Sequence, residues 1–314
     1  MDNLIFSLNV VLPLFFAVVV GYLLKKLGYF SEDFLNRGDK LAFKILIPFQ
    51  LFKSIYTADF SASYDSRLLI FSIAALILSG VISTLFAMGY TKNGAVRGAL
   101  AQSMFRGNII LVGASLITSM YGDEGLAALS IVAAFLVPLL NILCVILLSV
   151  FDPAEKGLDV KSIFINIVKN PLVVAALLGL FVNFTGIDFP VFLDKTISNI
   201  AGIATTFALI LLGGSFAFSD MKGRVKDVFL SVFGKLIFFP ILCMTAAYFL
   251  GMRGVNYSVV MCIFSAPTTV SGYTMAKMMN SDSELAALSV VFTTLFSVFT
   301  LFIFVYISKA LGII

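Results

Sequence analysis

The sequence contains no histidine, only three cysteines, and few charges, at 12% of its residues. Without histidine there can be no His-based catalytic triad, no imidazole metal site and no histidine proton relay. Cys144, Cys243 and Cys262 each lie inside an apolar run, and their spacing suggests neither a disulfide framework nor a metal centre. No metal or cofactor is expected. The shortage of charge excludes an ordinary soluble domain, in which about a quarter of residues are charged. What fills the chain instead is apolar: 60% of its 314 residues are hydrophobic, and the mean hydropathy is +1.07. A soluble fold of this length has no interior large enough for so much apolar surface, whereas a bilayer is a solvent for it. The net charge of +4 is small and sits in short loops, so no nucleic-acid partner is expected.

Apolar runs long enough to span a bilayer recur near 4–24, 38–56, 68–90, 97–119, 126–150, 163–183, 195–217, 228–250, 256–279 and 285–310. The breaks carry turn and charge signals such as Asn93-Gly94, Asp152-Pro153 and Lys222-Gly223. The reading is an all-α membrane protein of ten transmembrane helices. The first run precedes Lys25 and Lys26, the reverse of a secretory signal, and is read as a retained helix.

Loop charge sets the orientation. Ten basic residues fall on one side: Lys25, Lys26, Arg37, Lys40, Lys92, Lys156, Lys161, Lys222, Arg224 and Lys226. Four fall on the other: Arg67, Lys195, Arg253 and Lys309. The first side is then cytoplasmic, and both termini of a multi-pass plasma-membrane protein lie outside. Tyr29, Tyr56, Tyr90, Tyr121 and Tyr257 near the run ends fit an interfacial belt.

The chain also repeats itself. Pro13-Leu14, Ala17, Gly21 and Gly28 recur as Pro171-Leu172, Ala175, Gly179 and Gly186, a shift of 158. Residues 105–132 align with 264–291 at a shift of 159, with ten identities in 28. Each half, 1–157 and 158–314, holds five runs, and an odd number inverts the second half against the first.

Two interruptions occupy corresponding places in these halves. One is Arg106-Gly107-Asn108 in the fourth span, followed by Gly113. The other is Ser265-Ala266-Pro267-Thr268-Thr269 in the ninth, followed by Ser271-Gly272. A broken helix frees backbone N–H and C=O groups, which the bilayer tolerates only where protein or a watery cavity satisfies them. Gly and Pro singly often serve packing alone, but a matched pair of breaks points to a midplane site. Arg106 lies about nine residues, or about 14 Å, into its span. It reads as a partner for an anionic substrate, as a donor to freed carbonyls, or as an arginine that snorkels inward from a helix starting later. Lys235 and Lys44 are expected to snorkel to the cytoplasmic face. Asp123, Glu124, Asp282 and Glu284 fall in loops, and no acid is expected within a span, so a carboxylate relay is not expected. Sodium could still bind carbonyls and hydroxyls near Ser130, Thr268 or Thr269. Hydroxyl faces with Ser79, Ser83, Thr293, Thr294 and Ser297 could line a path, though such residues more often bridge helices.

The ordered set of these motifs resembles the auxin efflux carrier family. Asn108-x-x-x-x-Gly113-Ala114-Ser115-Leu116 followed by Met120-Tyr121-Gly122 is similar to the family's fourth-span motif. Pro267, Ile47-Pro48, Leu51-Phe52 and Lys235-Leu236-x-x-x-Pro240 also fit. Ser115 stands where the family usually has a proline, and Gly272 where plant members carry another. The resemblance implies ten helices, both termini outside, a fold like that of the bile-acid/sodium symporters, and broken helices 4 and 9 crossing at Asn108 and Pro267. It implies a small organic anion as substrate, such as a carboxylate. The site residues expected are Arg106, Gly107, Asn108, Gly113, Ser265, Pro267, Thr268, Thr269, Ser271 and Gly272.

The function expected is a secondary transporter working by alternating access. A sodium-coupled symporter or an amino-acid exporter of the same fold is the alternative. An intramembrane enzyme is not expected, because no clear nucleophile–base pair is present. Small-residue faces at Gly179 and Gly213-Gly214 permit helix packing, and the oligomeric state, including a homodimer, stays open.

Overall fold

A computed structural model describes residues 13, 16–57, 65–154, 164–165, 168–215 and 223–314. Every regular element among the described residues is helical. Helix α1 is described over 16–26, α2 spans 32–56, α3 is Ser66–Tyr90 and α4 is Gly94–Phe105. Helices α5 (109–121) and α6 (Glu124–Val150) follow. Then come α7 (Pro171–Thr185), α8 (Val191–Ser215), α9 (Val225–Phe249), α10 (Gly254–Ser265), α11 (Val270–Met278) and α12 (Ser283–Ala310).

Five of these, α3, α6, α8, α9 and α12, are long and apolar enough to cross a membrane. At 1.5 Å per residue a 25-residue helix such as α3 is about 37 Å long, against an apolar layer of about 30 Å. Helices α10 and α11 qualify together as a sixth crossing, bent by 42° at their junction. The first predicted run, 4–24, lies partly outside the described residues, as do the boundary at 157/158 and Lys156, Lys161 and Lys222. The sixth run, read as continuous over 163–183, is instead interrupted. Asn170 leaves the helical conformation, its side chain accepts the Leu172 N–H at 2.9 Å, and α7 restarts at Pro171. Proline suits that first position, where an N–H would have no partner.

The local signals have identifiable causes. Asn93 caps α4, Asp65 caps α3 and Asp282 caps α12, each accepting an N–H of the first turn. Helices α2 and α9 each contain a π-turn, Ala42–Leu46 and Gly234–Phe238. Each turn lies just before a proline, Pro48 or Pro240, which has no N–H to close the α-helical bond four residues back. Between α5 and α6 the chain kinks at Gly122, with φ 58° and ψ −141°, a conformation open in practice only to glycine. Helices α1 and α8 touch backbone to backbone: a Cβ on Gly21 would lie 1.9 Å from the Ile210 carbonyl oxygen, and one on Gly213 would lie 1.9 Å from that of Val18. Small residues allow this approach where lipid supplies no hydrophobic drive.

The surface is apolar and the interior carries much of the polarity, the reverse of a soluble protein. Ile70, Phe229, Ile241, Phe249 and Phe299 are exposed, while Ser83, Gln102, Arg106, Asn141 and Lys235 are buried. Helix α2 packs against α7 and α8 on one side of the molecule, and α4 against α3, α9 and α12 on the other. The two interrupted stretches lie between them.

Candidate functional site

Helix α4 ends at Phe105, Arg106 is extended, residues 106–108 are non-helical, and the chain turns helical again at Ile109. In α10–α11 the helix ends at Ser265 and resumes at Val270. The two interruptions bond to each other: the Asn108 N–H donates to the Pro267 carbonyl at 2.8 Å. Asn108 in turn supplies its carbonyl to the N–H groups of Val112 and Gly113, at 3.1 and 3.2 Å, which opens the π-turn at the start of α5.

A cavity of about 90 Å³ lies against this junction. Its wall includes Gln50 and Ser54 of α2, Arg106–Ile110, Asn141 of α6, Thr205 of α8, and Thr269–Ser271. A space of this size holds several waters or a small carboxylate. A second cavity shares Ser54, Ile109 and Ile110 with it and continues along α6, where Ser130 lines it.

Arg106 dominates the first cavity. Its side chain is 2% exposed. One terminal nitrogen donates to Asn141 Oδ1 at 2.9 Å and to Ser271 Oγ at 2.8 Å, and the other faces Met275 Sδ at 3.6 Å. Asn141 is oriented by its own amide, which donates to the Val137 carbonyl at 2.8 Å. Arg106 Nε has no hydrogen-bond partner, and among the described residues no carboxylate forms an ion pair with Arg106. Burying a cation without a counter-charge is expensive. Arg106 therefore donates neither to freed carbonyls nor to water at the membrane face. Neutral dipoles hold it beside a cavity.

The predicted residues separate into two groups. Arg106, Gly107, Asn108, Thr269 and Ser271 line the cavity, and Gly272 packs behind Arg106, where a Cβ would lie 3.2 Å from Arg106 Cδ. Thr269 caps α11, accepting the Ser271 N–H at 3.0 Å. Gly113, Ser265, Pro267 and Thr268 do not reach the cavity wall. Ser265 bonds to the Met261 carbonyl of its own helix, and the Thr268 N–H donates to Thr293 Oγ1 at 3.2 Å. Of the residues expected near a sodium, Ser130 lies in the second cavity, Thr269 lines the first, and the Thr268 N–H is bonded to Thr293 of α12. The hydroxyls of Ser83, Thr293 and Ser297 return to carbonyls of their own helices and line neither cavity.

Two residues depart from the sequence expectation. Lys235 does not snorkel: it is 1% exposed, and its ammonium donates to the Phe264 carbonyl at 3.0 Å. Lys44 is exposed. An acid does lie within a predicted span. Asp39, in the second run, is 1% exposed and accepts from Lys277 Nζ at 2.6 Å and from the Tyr273 hydroxyl at 3.3 Å. Its position near the charged start of the run hid it, because hydropathy there reads as loop. Asn141, Gln50 and Thr205 were also passed over. Each is a lone polar residue in an apolar run, which is itself a signal inside a membrane.

Comparison with known proteins places the chain in a family. A family described as membrane transport protein matches residues 6–305. The chain belongs to that family, the auxin efflux carriers that its fourth-span motif resembles. It is similar to an uncharacterized transporter of Methanothermobacter thermautotrophicus, at 26% identity over 94% of this chain and 96% of that one. It is also similar to the uncharacterized transporter YfdV of Escherichia coli, at 24% identity over 98% of this chain and 99% of that one.

Proposed function

We propose that this chain is a secondary carrier for a small organic anion, taken up at the junction of the two interrupted helices. The reading includes ten spans arranged as two inverted five-helix units, 1–157 and 158–314, in the plasma membrane with both termini outside. The observation that carries the substrate class is Arg106: a buried guanidinium beside a cavity, held by Asn141 and Ser271 and without a carboxylate partner among the described residues. An entering carboxylate would supply the missing counter-charge, and the unpartnered Nε adds a donor for it. Gln50, Thr205 and Thr269 supply neutral polar groups on the facing walls.

Alternating access requires a closure on each side of the site. Helices α2 and α11 meet at Asp39 and Lys277, eight residues along α2 from Ile47 in the cavity wall, or about 12 Å. This pair would close the route toward the loop before α2, while the second cavity continues the other way.

The test is a thermal-shift series on the purified protein with small mono- and dicarboxylates, and with amines of matched size as controls. A saturable rise with a carboxylate and none with the amines supports the reading, since a ligand bound only to the folded state raises its stability. Uptake of that carboxylate into proteoliposomes should follow, reduced by Asn108→Ala. If no carboxylate binds, or if Arg106→Met binds it equally well, the anion site is wrong.

A further inference from the structure

Lys235 is a fully buried amine that the anion site does not use. It belongs to the π-turn of α9 and does not line the cavity. The reason for its burial lies in the end of α10. In a continuous helix the Ile263 carbonyl would accept from residue 267 and that of Phe264 from residue 268. Residue 267 is proline and has no N–H. Residue 268 gives its N–H to Thr293 Oγ1. Two carbonyls at the negative end of α10 thus lose their helical donors inside the protein.

The Lys235 ammonium comes to this point. It donates to the Phe264 carbonyl at 3.0 Å. The position of a Cβ on Gly107 would lie 3.0 Å from Lys235 Nζ, 2.9 Å from the Ile263 carbonyl oxygen and 3.6 Å from that of Ala266. One small space, kept open because residue 107 has no side chain, therefore gathers the ammonium and the oxygens of the interrupted helix. Among the described residues no carboxylate pairs with Lys235. Freed carbonyls at a half-helix end are where a membrane carrier coordinates a free monovalent cation. Here the positive charge arrives on a side chain.

We propose that Lys235 is a tethered cation: its ammonium fills a monovalent-cation seat at the end of α10, so the carrier needs no sodium or other small cation there, and removing the ammonium opens that seat to a free one. The inference goes beyond the anion site and is read without any transported solute. Its failure leaves the anion site standing, and failure of the anion site leaves this seat standing.

The test uses Lys235→Met, which keeps the length of the stem and removes the charged head. Thermal midpoints of the full chain are measured in choline, sodium and ammonium chloride at equal ionic strength. The wild type should melt alike in all three. The variant should melt lower in choline and recover saturably in ammonium or sodium. Lys235→Ala provides a second variant with a larger vacancy, to be filled by methylammonium. The proposal is overturned if both variants melt with the wild type in choline, or if both melt lower and no small cation restores them. It is also overturned if the unaltered protein gains stability from sodium over choline, an outcome that does not depend on either variant folding.

Discussion

The backbone N–H of Asn108 donates to the carbonyl of Pro267 at 2.8 Å, and these two residues occupy the same place in the internal repeat. Each lies where its helix is interrupted. The bond satisfies one freed donor with one freed acceptor, which is how irregular backbone persists within a membrane protein. Around it stand Arg106 on one side, toward the cavity, and Lys235 on the other, toward the carbonyls of α10.

Arg106→Met should leave the protein folded, with a thermal midpoint within a few degrees of wild type. The change gives up two hydrogen bonds to neutral side chains, but it also removes a buried charge that has no counter-ion, and an uncompensated buried charge is itself costly, so the two effects offset. Carboxylate-induced thermal shifts should disappear. Arg106→Lys should weaken binding by tenfold or more, because an ammonium lacks the planar set of donors that holds Asn141 and Ser271 with one nitrogen and leaves Nε for a carboxylate. Titrations followed by thermal shift measure both.

Gly272→Val should weaken the same binding with Arg106 intact. A Cβ at residue 272 already approaches Arg106 Cδ to 3.2 Å, and a branched side chain forces the guanidinium off Ser271. Normal carboxylate affinity in this variant would show that the position of Arg106 is not critical.

Lys277→Met should be more destabilising than Asp39→Asn. Removing Lys277 strands a carboxylate that is 1% exposed and already has one oxygen without a partner, a loss of about 3–5 kcal/mol. Removing the acid leaves an ammonium whose side chain is 22% exposed and can turn toward water. Combining Asp39→Asn with Lys277→Met should recover part of the loss, giving a coupling energy in a double-mutant cycle. Additive effects in melting curves would mean that the pair does not act as a unit.

Gly122→Ala should lower stability by about 1–3 kcal/mol, because any side chain is strained at its φ of 58° and ψ of −141°. The kink is remote from Arg106 along the chain, so the carboxylate affinity of the folded protein should be unchanged. A loss of affinity without a loss of stability would place Gly122 in the site instead.

Composition and periodicity were enough to show a helical membrane protein, because the length and apolarity of a spanning helix are local properties of the chain. The positions of the two interruptions were legible for the same reason: Arg106-Gly107-Asn108 and Ser265–Thr269 stand out inside apolar runs. Side-chain direction was not legible. Lys235 near the start of a run looks like a residue reaching for the membrane surface. Only the packing of α9 against α10 turns it inward, to carbonyls that Pro267 deprived of donors. Asp39 looks like a loop acid until α11 brings Lys277 and Tyr273 to it from 238 and 234 residues away. Sequence determined where the helices break, since that depends on glycine, proline and backbone hydrogen bonding within a few residues. Tertiary structure alone decided which buried charges met a partner and which, like Arg106, were left beside a cavity, since that depends on contacts between helices far apart in the chain.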